Sequence, residues 1–243
     1  MKRGARHLPR RAAALSREEI VRTAIAVADS EGADAISMRR IARELNAGTM
    51  SLYWHVTSKE ELLDLMIDSI QGDLNVPNPS GDWREDLRTL AWTMRSVLHS
   101  HRWMMDFLGG RPPMGPKSLR TLERTLSCLD RLGLTPGAAM DIVMALATYI
   151  HGALLREVQE ENAQRYQEQQ TAGLSEAEVS EMVETFKARL HASGRYPHLA
   201  QMIESGVDPD APETRDARFE FGLDCLLDGF AAHLSRAAPG SEA

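Results

Sequence analysis

A chain of 243 residues, 43% of them apolar, is long enough for one small domain and one larger one with a sizeable core. Its formal net charge of −7 runs against nucleic-acid binding until the distribution is read. Residues 1–60 hold 11 Lys or Arg against 7 Asp or Glu, a balance of +4, and the remainder carries −11. A basic head on an acidic body suits a protein that meets phosphates at one end only. No unbroken apolar run of about 18 residues occurs, which argues against a membrane span. The N-terminus lacks the apolar segment of a secretory signal, which points to the cytoplasm. Cys128 and Cys225 are far apart in helical patterns and are expected as buried, reduced thiols rather than a disulfide or zinc framework.

The first fifteen residues carry Lys2, Arg3, Arg6, Arg10 and Arg11 and no acid. Such an arm can follow a DNA backbone or enter the minor groove, and it can equally serve only as a solubilising terminus. Ser16 with Glu19 is a capping box that opens a first helix through Ile20, Ala24 and Val27, broken at Glu31-Gly32. Ile41, Ala42 and Leu45 give a second short helix an apolar face, and the small Ala42 lets a third helix cross closely. Asn46 tolerates the left-handed backbone of a sharp turn. The third helix starts near Gly48-Thr49, with Leu52 and Val56 turned to the core. Thr49, Met50, Ser51, Tyr53, Trp54 and His55 are left on an exposed flank, where so many aromatic and polar groups imply a partner surface.

Two helices joined by a tight turn, the second rich in such groups, predict a helix-turn-helix that lays its second helix in the major groove. Thr49 and Ser51 suit bases or phosphates, and Met50 suits a thymine methyl. Tyr53, His55 and Lys59 suit phosphates, and Arg39 a guanine or the backbone. The plainer alternative is a helical hairpin with a solvated polar face. The run LYWHV at 52–56, followed by Lys59 and preceded by IARELNAGTMS, resembles the recognition helix of the tetracycline-repressor family, and SREEIVRTAIAVADSEGADAISMRR upstream fits the same pattern. Asn46-Ala47 departs from that family's usual Gly-Val. The resemblance implies an all-α protein: a three-helix DNA-binding head over 16–60 and a ligand-binding and dimerisation domain over 61–243.

Ser58 with Glu60 and Glu61 starts a fourth helix through Leu62, Met66 and Ile70, and NVPNPSGD at 75–82 breaks the chain. Helical spacing resumes over 83–100 and, after the elbow GGRPPMGP, over about 117–132. The longest apolar helix opens at Thr135-Pro136, and its polar continuation past Arg156 is expected to project or fray. A helix at about 176–191, a loop over 193–212 and a last helix at about 213–235 complete the chain. The helices near 136–156 and 213–235 have stripes broad enough for a core and a partner, though both can be used within one subunit. The resemblance implies that these two build a four-helix bundle across a two-fold axis.

Trp92, Met94, His99, Trp103, Met104, Phe107 and Arg111, with Met140, Met144, Tyr149 and His151, form an aromatic and methionine-rich set suited to a largely apolar small molecule. At the same spacing these residues also make ordinary cores. HSHRWMMDFLGGRP and FEFGLDCLLDGF extend the resemblance more weakly. By that resemblance Phe107 stands where the tetracycline-binding members place a histidine, and Arg156 where they place a glutamate. Phenylalanine cannot ligate a metal and arginine repels one, so a metal-free ligand is expected rather than a drug–magnesium chelate. His99 and His101, two apart on a helix, face different directions and make no metal pair. No cofactor is implied. The expected function is a homodimeric repressor that a small ligand releases from a palindromic operator. An activator on the same scaffold and a helical enzyme with a hydrophobic substrate are the alternatives, although no nucleophile–base pair, paired carboxylates or phosphate loop supports the enzyme.

Overall fold

The computed structural model describes residues 15–237 except 75, 77, 108–113 and 209, and no β-strand occurs among them. The chain divides into two compact units at Leu134 and Thr135. In the first unit, helix α1 (Arg17–Glu31) starts where the Ser16 side chain accepts from the Glu19 N–H, and it stops at Gly32 with φ +84°. Ser37 and Ser58 cap α2 (Met38–Glu44) and α4 (Lys59–Asp73) in the same way. Asn46, at φ +49°, makes the turn from α2 to α3 (Thr49–Tyr53), as its tolerance of left-handed backbone predicts. Ile20, Ile41, Leu52, Val56, Leu62 and Met66 bury completely where these helices meet. Each contributes roughly 1.5–3 kcal/mol, so the head is held by packing and its short helices need little intrinsic stability.

Asp82 caps α5 (Trp83–Ser100), and a 3-10 segment (Arg102–Phe107) leads toward α6 (Pro116–Ser127). α4 packs on both α1 and α6 within the compact unit that runs to Leu134. The reason lies on α4: one face meets the head, and its buried Asp68 meets the start of α6.

The second unit is built on α7 (Pro136–Thr171), 36 residues without a break. Past Arg156, where projection or fraying was expected, the helix does not fray and runs on to Thr171 with mostly exposed residues beyond Glu160. Glu, Gln, Ala and Arg in that stretch are strong helix formers, and Glu157 and Glu160 are buried within it. α8 (Glu176–Ser193) carries a complete capping box between Ser175 and Glu178. The loop expected over 193–212 is interrupted by α9 (Pro197–Glu204), because Pro197 sits in the first turn and Ala200 is buried where α9 packs on α8. α10 (Arg215–Ala237) then crosses α7. The crossing is close: a Cβ on Gly222 would lie 2.6 Å from the Tyr149 hydroxyl, which donates to the Phe219 carbonyl at 2.5 Å.

Cys128 is buried, and burial pushes its thiol up to about 11. Cys225 is exposed, against expectation, since it lies off the stripe of Phe219, Leu223 and Leu227 that α10 buries. An 18-residue window of α7 has mean hydropathy 1.6 and is by length and composition apolar enough to cross a membrane. That qualifies the expectation drawn from unbroken runs, and only 22% of the window is buried within the chain.

Candidate functional site

The turn at Asn46 and the burial of Leu52 and Val56 rotate the rest of α3 outward. Trp54 is 87% exposed, Met50 74% and Tyr53 42%. Ser51 is exposed beside them, and Thr49, His55 and Lys59 are half-buried. The predicted flank therefore exists as one surface, with three large apolar side chains facing outward. It is held from behind: Arg17 Nε donates to the His55 carbonyl at 2.9 Å, and the Thr57 N–H and hydroxyl both donate to Glu61 at 2.6 Å. Those two bonds, the hydroxyl's first, hold the Glu61 carboxyl below its usual range.

Arg39 is exposed on α2. Its neighbour Arg40 is locked instead, bidentate on Glu31 at 2.7 Å and bound to Glu44 at 2.8 Å. Arg43, one turn beyond Arg39, is exposed and lines a concavity of about 520 Å³ with Ser37, Arg39, Arg40, Ala47 and Thr49. Arg43 and Ser37 were not singled out in the sequence. The signal that could have found Arg43 is its i, i+4 spacing from Arg39 on one face. Lys2, Arg3, Arg6, Arg10 and Arg11 lie outside the described residues, as does Arg111.

The expected ligand residues fall in both units. Trp92, Met94 and His99 are half-buried on α5, with the Arg95 guanidinium 5.0 Å from the Trp92 ring centre. Trp103 and Met104 are buried in the 3-10 segment, and Phe107 meets Trp103 edge-to-face at 6.2 Å. The Trp103 indole N–H donates to Asp29 of α1 at 2.8 Å, and the same carboxylate oxygen lies 2.7 Å from His101 Nδ1. Met140, Met144 and His151 share one face of α7, where Met144 is exposed and burial pushes the His151 pKa down, while Tyr149 lies on the opposite face against Phe219 of α10.

A cavity of about 460 Å³ in the second unit is lined by Tyr149, Gly152, Ala153, Phe219 and Gly222 and by a cluster of charges. In that cluster Glu160, 5% exposed, bonds Arg156 at 2.9 Å, Arg218 at 2.8 Å and Arg215 at 3.3 Å. Arg156 also bonds Asp210 at 2.8 Å. Burial pushes the Glu160 carboxyl up, but the Arg218 and Arg156 bonds and the nearby positive charge bring it net below its usual range. Neither this cluster nor Asp29 was legible as a site, since each unites positions more than fifty residues apart.

A short helix-turn-helix with a bare outer flank, followed by an all-helical body with a cavity, defines a DNA-binding regulator with a separate sensing part. The model for bacterial regulatory proteins of the tetR family matches residues 20–66, and that for the tetracycline-repressor-like C-terminal domain matches residues 76–234. The chain belongs to the tetracycline-repressor family of transcriptional regulators. It is 34% identical to the transcriptional repressor DrrR1 of Streptomyces coeruleorubidus, over 88% of this chain and 77% of that one. It is 25% identical to the class E tetracycline repressor of Escherichia coli, over 91% and 93% of the two chains. The apo crystal structure of ActR from Streptomyces coelicolor matches with TM-score 0.69 and 30% identity over 93% of this chain and 99% of that one. ActR is also known in complex with actinorhodin, and that structure matches with TM-score 0.69 and 31% identity over 93% and 100% of the two chains.

Proposed function

We propose that the chain is a cytoplasmic repressor that binds a palindromic operator as a homodimer and is released by a small, largely apolar ligand. The observation that carries this reading is the outward flank of α3, where Met50, Tyr53 and Trp54 stand exposed on a helix anchored from behind. In this reading Met50 meets a base edge, Thr49, Ser51 and Arg39 meet bases or phosphates, and Tyr53, Trp54, His55, Lys59 and the basic arm hold the backbone. One such helix discriminates too few base pairs against a genome, so two subunits read half-sites about one helical turn apart. The functional division is then an arm over 1–15, a head over 16–60 and a sensing and dimerisation part over 61–243. The ligand acts by favouring a head spacing that no longer fits, which requires different affinities for the two states.

Support for the pairing comes from α7 and α10, which leave Met144, Leu155 and Phe221 exposed at 57%, 48% and 72%. Phe221→Asp is expected to turn the dimer into monomers in analytical ultracentrifugation; an unchanged sedimentation coefficient places the pairing surface elsewhere. Ligand class is inferred from the aromatic and methionine content of α5 and the 3-10 segment, and from the ActR complex. Actinorhodin is therefore the first probe. The testing experiment is a gel-shift titration on DNA flanking the gene, with and without that probe. A specific band at nanomolar protein, weakened by salt, is expected, because phosphate contacts release counterions. No specific band at low salt removes the reading. Tyr53→Ala is expected to weaken the specific complex by about one to a few kcal/mol, and wild-type affinity would show that α3 lies elsewhere on the duplex.

A further inference from the structure

We propose that the concavity between α2 and α3 seats one backbone phosphate of duplex DNA, and that Arg43 is its principal charged donor. This deepens the DNA-binding reading above and rests on it. Ser37, Arg39, Arg43 and Thr49 line the same hollow of about 520 Å³ at the start of the recognition helix. Among the described residues Arg40 is committed to Glu31 and Glu44, whereas Arg39 and Arg43 are exposed and form no ion pair. Arg40's charge is thus largely compensated, and the two arginines beside it carry the remaining positive charge of the hollow, Arg43 also acting at longer range on Glu31.

The hydroxyls complete a donor set. Ser37 Oγ accepts from the Arg40 N–H at 3.1 Å as the cap of α2, which leaves its own O–H able to donate outward. Thr49 adds a second hydroxyl from α3. Guanidinium forks with hydroxyls match a tetrahedral oxyanion, and charge-assisted bonds of this kind are about twice as strong as neutral ones.

Shape separates a phosphate from a base. Base edges lie recessed in a groove and are read by side chains that project into it, as Met50 projects here. A hollow receives a group that projects toward the protein, and on duplex DNA the projecting groups are the phosphates. A hollow next to an extended aromatic flank therefore fixes register while α3 reads sequence.

The test uses the full-length chain. Wild type, Arg43→Ala and Arg43→Lys are each used to select duplexes from a random pool, and the affinity of the selected duplex is then measured against salt. Wild type and Arg43→Ala are expected to select the same sequence. Arg43→Ala should bind it about tenfold more weakly, with the slope of log K against log salt smaller by about one contact per subunit, and Arg43→Lys should restore the slope. A second readout replaces single phosphates by uncharged methylphosphonates. One position per half-site should weaken wild type and leave Arg43→Ala unaffected. Loss of one selected base with an unchanged slope would make Arg43 a base reader and overturn the proposal, as would no change in either property. Failure of wild type to enrich any sequence removes the operator reading itself, a different result from an enriched sequence indifferent to Arg43.

Discussion

Glu160→Ala is expected to destabilise the second unit by about 3 kcal/mol, measured by urea unfolding at neutral pH and one protein concentration. Glu160 is 5% exposed and is the shared acceptor of three guanidiniums. Arg215 Nη2 and Arg218 Nη1 are already buried without a hydrogen-bond partner. Removing the carboxylate leaves Arg215 with Glu161 at 3.0 Å but Arg218 with the more distant Asp210, 3.9 Å away, and a poorly paired charge in a largely buried place costs more than the intact pair contributes. The Arg156 side chain, 58% exposed, can turn to water, and Arg215 retains Glu161, so most of the cost falls on Arg218. A loss under about 1 kcal/mol would show that Arg218 finds another acceptor.

The same residue predicts a pH dependence. Its folded-state pKa is lowered from 4.5, so the unfolded chain binds the proton more readily. The stabilisation is therefore fully present above about pH 4.5 and is lost as pH falls through the lower folded value. Glu160→Gln should flatten that part of the acid-unfolding curve. An identical acid midpoint in wild type and Glu160→Gln would remove Glu160 as a contributor.

Asp68→Ala is expected to cost about 3 kcal/mol, here in the first unit. Asp68 Oδ1 accepts from the Lys117 N–H at 3.0 Å, the Ser118 N–H at 2.8 Å and the Ser118 hydroxyl at 2.9 Å. The carboxylate of α4 thus caps α6 from a distance. Hydrogen bonds to a charged acceptor contribute about 1.5–3 kcal/mol each, and water entering the vacated space recovers part of the loss. Gly115→Ala attacks the same contact from the other side, since its Cβ would fall 2.1 Å from that oxygen. The carboxylate cannot retreat without breaking its three bonds, so a loss of about 1–3 kcal/mol is expected. Thermal unfolding of both variants checks the argument, and unchanged midpoints would mean that α6 needs no cap from α4.

These contacts mark where reading the sequence stopped. Helix starts at Ser16, Ser37 and Ser58 were legible because capping is local: a side chain meets an N–H three residues away. The outward flank of α3 was legible because Leu52 and Val56, one turn apart, decide which way the rest must face. α9 was missed because Gly, Pro and Asp around it outweigh a short apolar pattern that acquires meaning only against α8. The aromatic and methionine set could be drawn up from composition, but its members lie on α5, a 3-10 segment and α7, and periodicity cannot say which faces meet. Trp103 illustrates the point: its indole N–H is engaged by Asp29, 74 residues earlier.

Chain order alone determined the helical class, the head with its turn at Asn46, and the segregation of positive charge toward one end. All three depend on interactions within a few residues or on simple sums. Only folding in three dimensions decided that Asp29 of the first unit binds His101 and Trp103 and that Asp68 binds the start of α6. It alone gathered Glu160, Arg156, Arg215 and Arg218 around a cavity and set Arg43 beside Thr49. The physical reason is that a buried carboxylate takes whichever donors packing brings to it, and nothing in the one-dimensional string records that distance.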